Sequence, residues 1–207
     1  MKKRDAKRQA ILDTAYRLFQ AQGFDQTSVS EITAQVGGSK ATIYSHFPSK
    51  EELFVECMMA ATEDYILSII PSLETAEADP EVALRDYGRR FLGYVCSPDI
   101  VAVQRLLIAE ANRFGIGKLF YDKVTAMRAH VSALLSRFMA SGTLRSDDPQ
   151  VAAEYLRAML EAEYLEQLLF CARETALSED EIAAASERAI STFLRAYAPA
   201  ASVAETH

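Results

Sequence analysis

Between Thr27 and Lys50 the chain gathers side chains suited to binding phosphate oxygens and reading base edges: Thr27, Ser28, Ser39, Lys40, Thr42, Tyr44, Ser45, His46 and Lys50. Hydroxyls and ammonium groups hold a protein on a phosphodiester backbone, while small and donor side chains in a groove read sequence. This is non-covalent chemistry. The chain has no G-x-S-x-G, no phosphate-cradling glycine loop and no H-E-x-x-H. A di-iron bundle would need Glu-x-x-His, but the residues three before His46, His130 and His207 are Ile43, Met127 and Ala204. The reading predicts neither a metal, nor a cofactor, nor an enzyme.

Those side chains need two short helices to position them. Ser28 caps the first, and Glu31 three residues on completes a capping box. Val29, Ile32 and Val36 recur as one apolar face. Gly37-Gly38 supplies the sharp exit, Ser39 caps the second helix, and Pro48 ends it after Phe47. At roughly 100° per residue, Ile43 and Phe47 point inward, and Ala41, Thr42 and Ser45 point nearly opposite. Lys40, Tyr44 and His46 flank them. A helix with so small an outer face is what a major groove admits. Ala41 and Thr42 methyls suit a thymine methyl, and Lys40 a guanine edge. Lys50, in the first turn of the next helix, suits a phosphate. Local roles compete: Ser39 and Thr27 as caps, Tyr44 as a core cover.

The run T-S-V-S-E-I-T-A-Q-V-G-G-S-K-A-T-I-Y-S-H-F-P-S-K-E-E-L-F, preceded by A-Y-R-L-F-Q-A-Q-G-F, resembles the signature of the TetR family of one-component transcriptional regulators. The likeness covers roughly residues 5–65. Gly38 departs from it, standing where an aliphatic residue is more usual. By position, the resemblance implies DNA contacts at Thr27, Ser28, Ser39, Lys40, Ala41, Thr42, Tyr44, Ser45, His46 and Lys50. It also implies a homodimer, a double-stranded DNA operator and a small-molecule effector. The segment R-L-L-I-A-E-A-N-R-F-G-I-G-K-L-F-Y is similar to the effector domain of a subgroup linked to efflux and stress control.

The whole chain agrees with an all-α fold. Half of its 207 residues are hydrophobic, while Gly and Pro number only 8 and 6. No apolar run approaches the ~20 residues that span a bilayer. The basic N-terminus is not followed by an apolar signal segment, and Cys57, Cys96 and Cys171 form no C-x-x-C pair, so a cytoplasmic protein with reduced thiols is expected. Net charge is −7, unevenly placed: residues 1–50 hold eight Lys or Arg against four Asp or Glu, and the rest hold fourteen against twenty-five. A basic head of +4 on an acidic body of −11 suits a nucleic-acid partner at one end. A merely solvated basic terminus explains the charge alone equally well.

The expected architecture has about nine helices. Residues 1–50 form a three-helix DNA-binding head, residues 51–198 an effector-binding and dimerisation body, and 199–207 a flexible tail. Residues 1–4 read as a mobile basic arm, and the first helix as Asp5 to Gln22. A lever helix follows from Lys50 to about Ile70, then a loop to Pro80. Helices are expected near 80–95, 99–113, 118–142, 149–173 and 179–197, with capping boxes at Ser49/Glu52 and Ser178/Glu181.

The last two helices have wide apolar arcs, as expected of a pair that also meets a symmetry mate in a four-helix bundle. Tyr155, Leu156, Leu165, Leu169, Ala189 and Phe193 are the expected dimer contacts; a purely intrachain core is the alternative. For the effector pocket that the resemblance implies, the candidates are Phe91, Tyr94, Phe114, Met127, His130, Leu134, Met159 and Tyr164, apolar and aromatic with a few polar groups. A dimeric, ligand-responsive repressor results, repression being the family's habit. A helical adaptor for a protein partner is the competing reading, and it lacks salt-sensitive DNA binding.

Overall fold

A computed structural model describes residues 2–60 and 79–199. Within these residues there are ten helices and no strand: α1 Lys2–Gln26, α2 Val29–Val36, α3 Lys40–Tyr44, α4 Lys50–Ala60, α5 Pro80–Val95, α6 Pro98–Glu110, α7 Ile116–Ala140, α8 Pro149–Glu161, α9 Leu165–Leu169 and α10 Glu179–Ala196. The all-α expectation holds. No single described helix is long and apolar enough to cross a membrane.

Two compact units divide the chain. Among the described residues, the first comprises 2–60 and 102–124, and the second 79–101 and 125–199. In the first, Ile11, Leu12, Ala15, Phe19 and Phe24 from α1 pack with Val29, Ile32, Ile43, Phe47, Leu53, Phe54 and Met58. Val103, Leu107 and Ile116, from α6 and α7, belong to the same apolar cluster. Phe54 meets Phe19 and Phe24 edge-on, at 5.0 and 5.3 Å between ring centroids. Such aromatic pairs add about 0.5–1.5 kcal/mol beyond area burial.

In the second unit, α5 packs on α8 and α10, and α8 on α10. Leu84, Leu134, Leu135, Leu156, Leu160, Ile190 and Phe193 form its core. Gly88 permits the close crossing, since a Cβ there would lie 2.9 Å from Ile190.

Several boundaries differ from expectation. α1 begins at Lys2, so the basic arm is the first turn of a helix, and the chain kinks at Gly23, where φ is 78°. α3 stops at Tyr44, and a turn bonded to the Ile43 carbonyl carries Phe47 inward. The expected 149–173 helix is two helices, broken over 162–164. No glycine or proline marks that break. Side chains settle it: Gln167 Nε2 donates to the Glu163 carbonyl at 2.8 Å, and Arg188 grips both Glu163 carboxylate oxygens at 2.8 and 2.6 Å. The expected lever beyond Ala60 and the expected loop after it, within 61–78, lie outside the described residues, as does the expected tail from residue 200 onward.

Candidate nucleic-acid interface

Local caps build the helix pair. Ser28 Oγ accepts from Glu31 N at 3.1 Å. The Glu31 carboxylate does not complete that box; it accepts from Gln22 Nε2 at 2.8 Å and ties α2 to α1. At α3 the box is complete but its partner is Thr42: Thr42 N donates to Ser39 Oγ at 3.2 Å, and Ser39 N to Thr42 Oγ1 at 3.4 Å. Lys7, which the sequence reading did not single out, donates to the Val36 and Gly37 carbonyls at 2.9 and 2.8 Å. It thereby satisfies the orphan acceptors at the end of α2. Gly38, at φ 107°, adopts a backbone conformation that residues with a side chain rarely take.

Ile43 and Phe47 are buried, at 3% and 1% exposure. Arg8 covers the Phe47 ring at 5.2 Å and bonds Glu56 at 2.6 Å. The opposite side of α3 is open: Lys40, Ala41, Tyr44 and Ser45 are exposed, and Thr42 and His46 half-buried. Ser28 and Ser39 are exposed beside them. Two expected contacts sit differently. Thr27 is closed in, its hydroxyl donating to the Gly23 carbonyl at 2.8 Å. Lys50 is half-buried, its ammonium 4.2 Å from the Phe24 ring centroid.

In the second unit, Leu156, Leu165, Ala189 and Phe193 are buried within the single chain, Leu169 is half-buried, and Tyr155 is 55% exposed. The outward stripe of α8 is instead Val151, Tyr155 and Ala158. The sequence could not separate the two sides of so wide an apolar arc. Among the pocket candidates, Leu134 is buried, and Phe91, Tyr94, His130, Met159 and Tyr164 are half-buried. Phe114 belongs to the first unit, 73% exposed, its ring 6.2 Å from that of Phe24. The side chain of Met127 lies outside the described residues.

Tyr87 and Glu161 are not among the expected pocket residues. Tyr87 is buried and stacked on Phe91 at 5.6 Å. Burial raises the Tyr87 phenol pKa, with Glu161, Arg157, Arg128 and Glu154 acting on it. Burial also raises the Glu161 carboxyl, against the opposing pull of Arg157, which bonds it. No three His, Cys, Asp or Glu side chains converge as metal ligands among the described residues.

An all-helical chain with a capped helix-turn-helix and an open second helix defines a DNA-binding regulator. Residues 11–57 match the family described as bacterial regulatory proteins, tetR family, and residues 82–199 match the AefR-like transcriptional repressor, C-terminal domain. The chain belongs to the TetR family of transcriptional regulators.

The Escherichia coli regulator RutR is 30% identical over 149 residues, which is 70% of this chain and 68% of RutR. In two Bacillus subtilis regulators the matched stretch spans only 34% and 57% of their length. A TetR-family regulator from Mesorhizobium loti superposes with a TM-score of 0.81 at 26% identity, covering 94% of this chain and 98% of that one. The flavonoid-responsive regulator FrrA superposes with a TM-score of 0.73 at 30% identity, covering 95% and 100%.

Proposed function

We propose that the protein is a cytoplasmic, homodimeric repressor that binds a near-palindromic operator and is released by a small-molecule effector. The observation that carries the DNA-binding part is the outer face of α3: Lys40, Ala41, Tyr44 and Ser45 stand free while Ile43 and Phe47 hold the helix to the core. Lys40, Ala41, Thr42 and Ser45 read bases. Ser28, Ser39, Tyr44 and His46 contact phosphates, as does Lys50 once its ammonium swings outward. Thr27 holds the entry to α2. Two such helices on a two-fold axis read half-sites about one helical turn, or a multiple, apart. The α8 stripe of Val151, Tyr155 and Ala158 supports a bundle with a second copy.

For the effector, the reading is supported by Tyr87 and Phe91 of the second unit, stacked at 5.6 Å, with a buried phenol and Glu161 in an environment that disfavours its charge. The nearby charges, Arg128, Arg157, Glu154 and Glu161, balance, which favours a neutral ligand over an ion. FrrA responds to flavonoids by its description, so hydroxylated planar aromatics are the first class to screen.

Selection of bound sequences from a random DNA pool tests the DNA part. The expected product is a two-fold symmetric motif. Recovery of no enriched sequence rejects it. Titration of that motif with hydroxylated aromatics tests release; it requires differential affinity for the free and bound states.

A further inference from the structure

Lys7 and Arg8 are consecutive residues of α1, and both reach the segment that carries α3. The Lys7 ammonium donates to the Val36 and Gly37 carbonyls, at 2.9 and 2.8 Å, where α2 ends and the turn into α3 begins. The Arg8 guanidinium lies 5.2 Å from the centre of the Phe47 ring, where the chain leaves α3. One carboxylate oxygen of Glu56, on α4, accepts from Arg8 at 2.6 Å, and the other accepts from Lys123, on α7. All of these residues belong to the first compact unit.

The turn that Lys7 reaches is made of glycine. Gly37 and Gly38 both take positive φ, 77° and 107°. A Cβ added at Gly37 would meet nothing within 4 Å, and at Gly38 its nearest neighbours would be atoms of Thr42, at 3.5 Å and beyond. Neither glycine is wedged in place by a neighbour, and glycine loses the most backbone freedom on ordering. Lys7 supplies a tie from α1 that packing does not. At the exit, Phe47 is buried, and Arg8 covers its ring.

We propose that Lys7 and Arg8 are positioning residues for α3: they fix its entry and its exit, and so set how well it discriminates between base sequences, without either cation contacting a DNA phosphate. The inference rests on the base-reading role proposed for α3. The physical reason is preorganisation. Base edges are read over hydrogen-bond distances, so a helix that must first be ordered loses that ordering cost from its specific affinity. Binding to arbitrary sequence is carried by phosphate charge, which tolerates a loosely set helix. Removing a tie therefore falls on sequence preference. The cations of the basic head are then not one DNA-facing set: two of them serve the protein's own backbone and ring.

Lys7→Met and Arg8→Met, each in the full chain, remove the cation and keep an unbranched side chain; Glu56 keeps Lys123 as a partner in the second. Affinity is measured across a salt series for the motif recovered by selection from a random pool and for a mixed-sequence duplex. Preference for the motif is expected to fall about ten-fold in Lys7→Met, as for one hydrogen bond from a charged donor. It is expected to fall about two- to five-fold in Arg8→Met, as for a cation–π contact. The salt slope on the mixed duplex should not change. A slope lower by about one unit makes the residue a phosphate contact and overturns the proposal for it. Unchanged preference overturns it too, as does an equal loss on both duplexes, which is what a merely destabilised head produces. A second measurement needs no DNA. Amide 15N order parameters should fall at Gly38 and Ser39 in Lys7→Met and at His46 and Phe47 in Arg8→Met, with those at Ile11 and Ala15 of α1 unchanged. Order parameters that do not fall at those sites overturn the proposal. If selection returns no motif, the base-reading role of α3 is rejected, and the order parameters alone decide the positioning.

Discussion

The Thr42 hydroxyl is turned back onto Ser39, 3.1 Å from its Oγ and 3.4 Å from its backbone N, so it is engaged in the cap of α3 and only the methyl is left for the base contact proposed for this residue. One residue thus carries two roles, and they separate by substitution. Thr42→Val keeps the methyl and loses the cap partner; it should cost a few tenths to about 1 kcal/mol of stability with operator preference intact. Thr42→Ser keeps the cap and loses the methyl. It should relax discrimination at one thymine and leave the melting temperature unchanged. A melt and a binding-site selection on both variants decide; relaxed preference in Thr42→Val alone contradicts the assignment.

Ile43 and Phe47 are buried, yet DNA binding should depend on them. Removing either side chain to alanine leaves a cavity in the head, costing about 2–5 kcal/mol. Thermal unfolding should shift downward, and duplex affinity should fall for every sequence together. Retention of full affinity would show that the head tolerates loss of its brace.

Lys50→Ala should weaken binding to all duplexes alike and lower the salt slope by about one unit, as loss of one phosphate contact requires. Affinity measured across a salt series gives the slope. An unaltered slope assigns the lysine solely to its contact with Phe24.

Tyr155→Glu and Ala158→Glu place charge on the exposed stripe of α8 without disturbing the protomer core. Light scattering at micromolar concentration should change from dimer to monomer, with helicity retained. A wild-type protein already monomeric at that concentration rejects the two-fold model.

Acid should loosen the start of α10. Hydrogen bonds from Arg173, and then Ser178, lower the Glu181 carboxyl from 4.5 to about 2. A folded value below the unfolded one means the stabilising contribution is present above 4.5 and is lost as pH falls toward about 2. Arg188 lowers Glu163 in the same direction. Amide-exchange protection at the start of α10 should fall through that window, and Glu181→Gln should flatten the difference. Parallel profiles would remove Glu181 as the cause.

Short-range chemistry made the head legible from the residues alone. Ser28, Ser39 and Ser178 announce helix starts because each bonds a backbone N–H three residues away. Ile43 and Phe47 announce the buried side of α3 by helical spacing. The all-α class followed from the same local rules. Tertiary contacts decided what remained. Glu31 bonds Gln22 instead of closing its box, α8 breaks where Arg188 reaches Glu163, and Lys50 turns in toward Phe24. The turn from α6 to α7 joins the compact unit of the head although some fifty residues of sequence separate it from α4. A side chain's partner is fixed by which groups arrive beside it, and spacing along one helix carries no record of a group that arrives from another.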